Sequence, residues 1–163
     1  MKEIFTRVLK GHIAVYTTNL NKINKGYLID KRARYWLKQI NLDYGHGTGH
    51  GVGFFLNVHE GPQAISKYNS IALKKGMILS NEPGYYKENQ FGIRIENLVF
   101  IDKGKKGIKF KNLTLAPLDR NLIENKLLTK KEKDYISEYH KAIYSKISKY
   151  LNKKEKKWML SLI

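Results

Sequence analysis

At 163 residues and 19.0 kDa, with 42% hydrophobic and 12% aromatic residues, the chain has enough apolar material for one ordinary core, which excludes a wholly disordered protein. It has no cysteine, so disulfide and thiolate chemistry are excluded and any metal must be held by His and carboxylates. The net charge of +17 invites a nucleic-acid reading, but the excess is mostly Lys spread along the whole chain, whereas phosphate readers favour a clustered Arg stripe; a solvated surface is expected instead.

The N-terminal segment is amphipathic, lacking a signal-type apolar core and cleavage site, and no apolar run approaches the roughly 18 residues of a membrane span. A cytoplasmic location without membrane contact is therefore expected. Over residues 3–18, Phe5, Val8, Leu9, His12 and Val15 recur at helical spacing, and over 27–40 so do Ile29, Ala33, Trp36, Leu37 and Ile40. The period then changes. Segments 52–59, 76–82, 92–101 and 108–115 are short, rich in Val, Ile, Leu and Phe, and separated by Gly, Pro and Asn, as strands are. From Asp119 the helical pattern returns. Thr129 and Glu132 form a capping box, and Tyr135, Ile136, Tyr139, Ile143, Ile147 and Leu151 line one face of a single helix expected over 129–151. This order predicts an α+β fold with a largely antiparallel sheet.

The run Tyr44-Gly-His-Gly-Thr-Gly-His-Gly-Val-Gly53 has glycine at every second position. A helix would lose about 1 kcal/mol at each one, so a helical HExxH-type zinc site does not fit. In an extended backbone, His46, Thr48 and His50 fall toward one side and the glycines allow close approach of another chain segment. Val58-His59-Glu60 adds a third imidazole. Further on, Met77–Tyr86 contains Glu82-Pro-Gly-Tyr-Tyr, and Gly92–Asn97 contains Arg94 and Glu96 on one strand face. A hairpin centred on Asn89 sets Glu82 opposite Glu96. Facing carboxylates destabilise a sheet unless a cation joins them, and hard divalent metals do this with oxygen ligands. One His and two Glu make a usable set for a catalytic divalent ion, leaving His46 and His59 for substrate or protons. The residues alone thus read as a metallohydrolase of unspecified substrate.

GHGTGHGVG, LNVHEGP, GMILSNEPGYY and FGIRIEN together resemble the catalytic domain of the aminopeptidase P family, pita-bread-fold metallopeptidases that release an N-terminal residue preceding proline, usually with two manganese ions. The similarity begins near FTRVLKGHIA and runs through TLAPLDRNLI to the final WM segment. It implies the C-terminal half of a pita-bread (creatinase/aminopeptidase-like) fold, a curved, largely antiparallel sheet with covering helices. Residues 1–117 would be the C-terminal part of the catalytic domain, and 118–163 a helical extension.

Position by position, the resemblance implies His50, Glu82 and Glu96 as metal ligands, with Glu96 bridging two ions. It implies His46 and His59 as catalytic residues that hold substrate and the developing tetrahedral intermediate, and Arg94 as the residue orienting Glu96. Tyr85 and Tyr86 read as wall. Two upstream aspartates of the family have no counterpart here, since Asp30 lies in a predicted helix and Asp43 just before the Gly-rich run. The expectation is a metallopeptidase-like fragment that by itself binds metal weakly and is inactive. Its partners would be a peptide with proline at the second position, a separately encoded N-terminal half, and a second copy in a homodimer; no nucleic acid is expected. The same motifs also admit a pseudoenzyme that binds peptide or protein without hydrolysis.

Overall fold

In the computed structural model, which describes residues 1–54, 57–105 and 107–163, the two N-terminal amphipathic patterns are helices. Helix α1 (Lys2–Tyr16) buries Phe5, Val8, Leu9, His12 and Val15, the stripe read from its spacing. Helix α2 (Gly26–Lys38) buries Ile29, Ala33 and Leu37. Among the described residues no helix is long and apolar enough to cross a membrane.

Among the described residues seven strands follow: β1 (Gly49–His50), β2 (Ala64–Ile65), β3 (Ile78–Asn81), β4 (Gly84–Lys87), β5 (Phe91–Arg94), β6 (Asn97–Gly104) and β7 (Gly107–Asn112). All their pairings are antiparallel: β1 with β2, β3 with β6 and β6 with β7, and β4 with β5. A bridge between Gly51 and Leu79 connects the first ladder to the second. Val15, Leu20, Ile29, Ala33, Ile65, Leu73, Leu79, Val99, Ile101 and Phe110 form a core cluster, drawn from α1, α2, both of these ladders and the loops at Leu20 and Leu73.

The strand expected over 52–59 is not formed by the described residues of that stretch; Phe55 and Leu56 lie outside the described residues. Within that stretch, Gly53 N–H donates to Asn57 O at 2.7 Å. The strand expected over 92–101 is two strands, β5 and β6, interrupted at Ile95 and Glu96, across from an interruption at Glu82 and Pro83. Proline has no N–H to give a ladder, so regular pairing lapses there. The register nevertheless carries across the gap. Asn81 pairs with Asn97 on one side and Gly84 with Arg94 on the other, and both ladders are centred on Asn89, as the sequence predicts. Asn89 turns the hairpin at φ 54°, a left-handed conformation that Asn tolerates.

The chain divides into two compact units, residues 7–114 and residues 1–6 with 115–163. In the second, helix α3 (Lys130–Ile147) starts at the Thr129–Glu132 capping box, both of whose reciprocal bonds are formed. Ile136, Tyr139 and Ile143 of the expected stripe are buried. Tyr139 Oη donates to Ala116 O at 2.8 Å, and Leu118 N–H donates to His140 Nε2 at 3.1 Å. The single helix expected over 129–151 stops at Ile147 and passes through a 3₁₀ turn at 148–150. A further helix, α4 (Lys153–Leu160), starts at Asn152, whose side chain caps Glu155 N–H in a second capping box. The N-x-x-E signal was present in the sequence, and it ends the preceding helix because an N-cap residue must leave helical geometry.

One buried residue of α1 makes stability depend on pH. His12 is 1% exposed, and burial pushes its pKa down to about 4, although backbone contacts at Ile95 and Asn81 pull the other way. In the unfolded chain the same ring titrates near 6.5. Between those values protons bind the unfolded chain more tightly, so stability present above pH 6.5 is lost as pH falls toward 4, by about 3 kcal/mol. Urea unfolding at pH 7 and pH 4 measures this drop, and His12→Asn, which does not titrate, should flatten it.

Candidate metal centre

The Gly-rich segment lies between two neighbours. On one side Gly49 pairs with Ile65 and His50 with Ala64. On the other, Glu82 N–H donates to Thr48 O at 2.7 Å, His50 N–H to Ser80 Oγ at 2.9 Å and Val52 N–H to Ile78 O at 3.1 Å. A Cβ on Gly49 would sit 2.0 Å from Ser80 O, and one on Gly51 2.0 Å from Glu60 O. No side chain fits at either position: Gly49 lets β1 approach β3 closely enough to bring His50 beside Glu82, and Gly51 lets the segment lie against the backbone at Glu60 on its other side.

His50 Nε2 lies 3.2 Å from Glu82 Oε1. Ser80 Oγ donates to the same oxygen at 2.7 Å, and Arg94 Nη1 is 3.3 Å from Oε2. The His50 ring meets Gly51 O through Nδ1 at 3.0 Å, and a carbonyl can only accept, so Nδ1 carries a proton. In a neutral ring Nε2 then offers only a lone pair, and it faces a carboxylate oxygen of the buried Glu82. Such a pair calls for a cation between its members, either a proton or a metal ion. This donor set of imidazole and carboxylate fits a divalent ion.

The other residues are distributed around this pair. The His59 ring centroid is 4.1 Å from that of His50. Glu96 is exposed and, among the described residues, no three His or carboxylate side chains converge as a ready-made metal cluster. The cation facing the carboxylates here is the Arg94 guanidinium. It is held charged first by its bond to Tyr86 and then by the negative charge of Glu82 and Glu96. Tyr86, read from the sequence as wall, sits between two site residues: its hydroxyl accepts from Arg94 Nε at 2.7 Å and contacts His46 Nε2 at 3.0 Å. His46 Nδ1 donates to Gly47 O at 2.7 Å, which turns Nε2 toward the Tyr86 hydroxyl.

Sequence reasoning did not find the residue that holds the start of this segment, Arg34. From α2 it donates through Nε to Asp30 Oδ2 at 2.8 Å and through Nη1 to Asp43 Oδ1 at 2.8 Å and Tyr44 O at 2.7 Å. Nη2 donates to His46 O at 2.5 Å, and the guanidinium covers the Tyr44 ring at 3.9 Å. Burial works against this charge, but the bonds to Asp30 and Asp43 more than offset it and raise the Arg34 pKa. Thr48, expected on the side of His46 and His50, is fully buried and donates to Asp30 Oδ1 at 2.6 Å. Asp30 and Asp43 are thus both committed to Arg34. A spacing of four between Asp30 and Arg34 on one helix was the available signal. Beside this clamp a cavity of about 540 Å³ opens, with Lys31, His46, Lys67 and Tyr68 among its walls.

A family model described as metallopeptidase family M24 matches residues 1–103, and one described as the C-terminal region of peptidase M24 matches residues 106–161. The chain belongs to metallopeptidase family M24. Among M24 relatives, the probable Xaa-Pro aminopeptidase P of Coprinopsis cinerea is 49% identical over 168 residues, covering 95% of this chain and 27% of its own length. The protein of the same description from Laccaria bicolor is 48% identical, covering 92% of this chain and 25% of its own length. The chain therefore spans about a quarter of the length of these relatives. The X-prolyl aminopeptidase of Caenorhabditis elegans, described as a cytosolic enzyme with a di-nuclear active site, superimposes with a TM-score of 0.86 at 34% identity over 98% of this chain and 28% of its own. Prolidase from Pyrococcus furiosus matches with a TM-score of 0.59 at 33% identity over 69% of this chain and 32% of its own. The pita-bread fold implied by the sequence motifs is the M24 fold found.

Proposed function

We propose that the chain supplies the sheet-borne part of a two-metal Xaa-Pro aminopeptidase site. His50 and Glu82 would help hold one divalent ion and Glu96 would help hold both it and a second; manganese is the ion we favour. The observation that carries this reading is His50 Nε2 facing the Glu82 carboxylate at 3.2 Å while Nδ1 is turned to Gly51 O. The register that sets Glu96 across from Glu82 supports it.

When bound, such ions polarise a peptide carbonyl and lower the pKa of water. The residues of this chain do the rest. Ser80 fixes one oxygen of Glu82, and Arg94 orients the carboxylates from the other side. His46, steadied by Gly47 O and Tyr86, and His59, beside His50, hold the substrate and the oxyanion that develops on its carbonyl. The cavity beside His46 offers room for a peptide whose second residue is proline. The remaining metal ligands come from other residues of a longer chain or from a separate polypeptide, in a cytosolic setting like that of the C. elegans enzyme.

A second reading, peptide binding without hydrolysis, is favoured because, among the described residues, no three His or carboxylate side chains converge as a metal cluster. Titration of manganese followed by its paramagnetic resonance separates the two. Weak binding that Glu82→Gln and His50→Ala each abolish supports the metal site; no binding, or binding indifferent to both changes, rejects it.

A further inference from the structure

The gap between the two ladders poses a hydrogen-bonding problem that helix α1 solves. Ile95 N–H donates to Pro83 O at 3.2 Å, which makes residues 83 and 95 a hydrogen-bonded antiparallel pair. Such a pair exchanges two bonds, and the return bond would run from N–H of residue 83 to Ile95 O. Residue 83 is proline and has no N–H. Ile95 is 6% exposed, so its carbonyl would be left buried without a donor.

The donor that reaches it is the His12 ring, with Nδ1 3.2 Å from Ile95 O. Because a carbonyl only accepts, Nδ1 is protonated; burial keeps the ring neutral, although the backbone at Asn81 also lies against it, and Nε2 makes no hydrogen bond of good geometry among the described residues. From the other strand, Asn81 Nδ2 donates to His12 O at 3.0 Å. One residue of α1 is thus bonded to the residue before Glu82 and to the residue before Glu96. An apolar side chain of the same size would fill this space without burying a bare ring nitrogen, so packing alone does not explain a histidine here.

We propose that His12 is a positioning residue of the site: it replaces the donor that Pro83 lacks, and so holds the gap between the two ladders in which Glu82 and Glu96 stand on opposite sides. The role in catalysis rests on the reading of these carboxylates as metal ligands, but the hydrogen bond can be tested without metal.

The test uses amide hydrogen exchange on the metal-free chain, with thermal unfolding as a check on folding. His12→Leu should speed exchange at Ile95 by about tenfold or more, the effect of losing one buried bond. His12→Asn, whose amide can occupy the place of Nδ1–H, should stay within about twofold of wild type. Pro83→Ala, which returns the missing N–H, should restore protection in the His12→Leu background. Manganese affinity should follow the same order, with a loss of about 10–100-fold in His12→Leu. Unchanged exchange in His12→Leu would overturn the proposal, as would failure of both His12→Asn and Pro83→Ala to restore it, since that pattern means packing alone. Should His12→Leu not fold, the nitrogen resonances of the wild-type ring decide: a neutral Nδ1–H tautomer is expected, and an Nε2–H tautomer rejects the assignment. Absence of manganese binding in wild type would instead reject the metal site and leave the exchange result standing.

Discussion

Replacing Arg34 with alanine should destabilise the chain by about 3–5 kcal/mol, the usual cost of removing one member of a buried ion pair. The side chains of Arg34 and Asp30 are 11% and 4% exposed, so the variant leaves an uncompensated carboxylate in the interior. It also frees the carbonyls of Tyr44 and His46, both of which Arg34 binds. Arg34→Lys should recover little, because an ammonium keeps the charge but not the fork that reaches two carboxylates and two carbonyls at once. Adding Asp30→Asn to Arg34→Ala should return part of the loss by removing the stranded charge, a coupling expected of residues in direct contact. Urea unfolding at constant m-value measures all three. A loss below about 1 kcal/mol for Arg34→Ala would place this cluster among surface ion pairs, which contribute little.

The second large effect concerns turnover. These 163 residues by themselves should bind manganese weakly and should not cleave Xaa-Pro peptides at a useful rate. One imidazole and two carboxylates leave several positions of one ion to water, and the second ion would have only Glu96. A two-ion clamp on attacking and leaving groups is then not assembled. Supplying the remaining acidic ligands, as the preceding part of an M24 relative or as a longer form of this chain, should restore cleavage. In that complete site Glu96→Ala should abolish it, whereas Arg94→Ala, which leaves every ligand in place, should cost about 10–100-fold. Proline-specific turnover by the 163 residues alone would overturn the ligand count. A Glu96→Ala variant no worse than Arg94→Ala would remove Glu96 from the bridging role.

Both expectations turn on contacts of different range, and that range decided what could be read in advance. The stripe of Phe5, Val8, Leu9, His12 and Val15 and the Thr129–Glu132 box are patterns of three or four residues, and they form as read. The hairpin centred on Asn89 was equally legible, because a turn fixes the register of the strands that leave it. That register carries Glu82 to its place opposite Glu96 even though the ladder lapses between them. The proposed donors were legible as residue types at fixed offsets: His46 and His50 among alternating glycines, Glu82 before Pro83, Glu96 after Arg94.

What tertiary structure alone decided is how these residues are held. The stretch over 52–59 has strand composition, but Gly53 N–H bonds to Asn57 O and its described residues form no strand. Arg34 reaches the carbonyl of His46, 12 residues away, and His12 reaches that of Ile95, 83 residues away. Neither contact leaves a period or spacing in the sequence. Each exists because packing brings a donor to a buried or half-buried carbonyl, and burial makes an unmade bond costly. Pro83 marks in the sequence that a donor is missing; only the packing of α1 against the gap decides that His12 provides it.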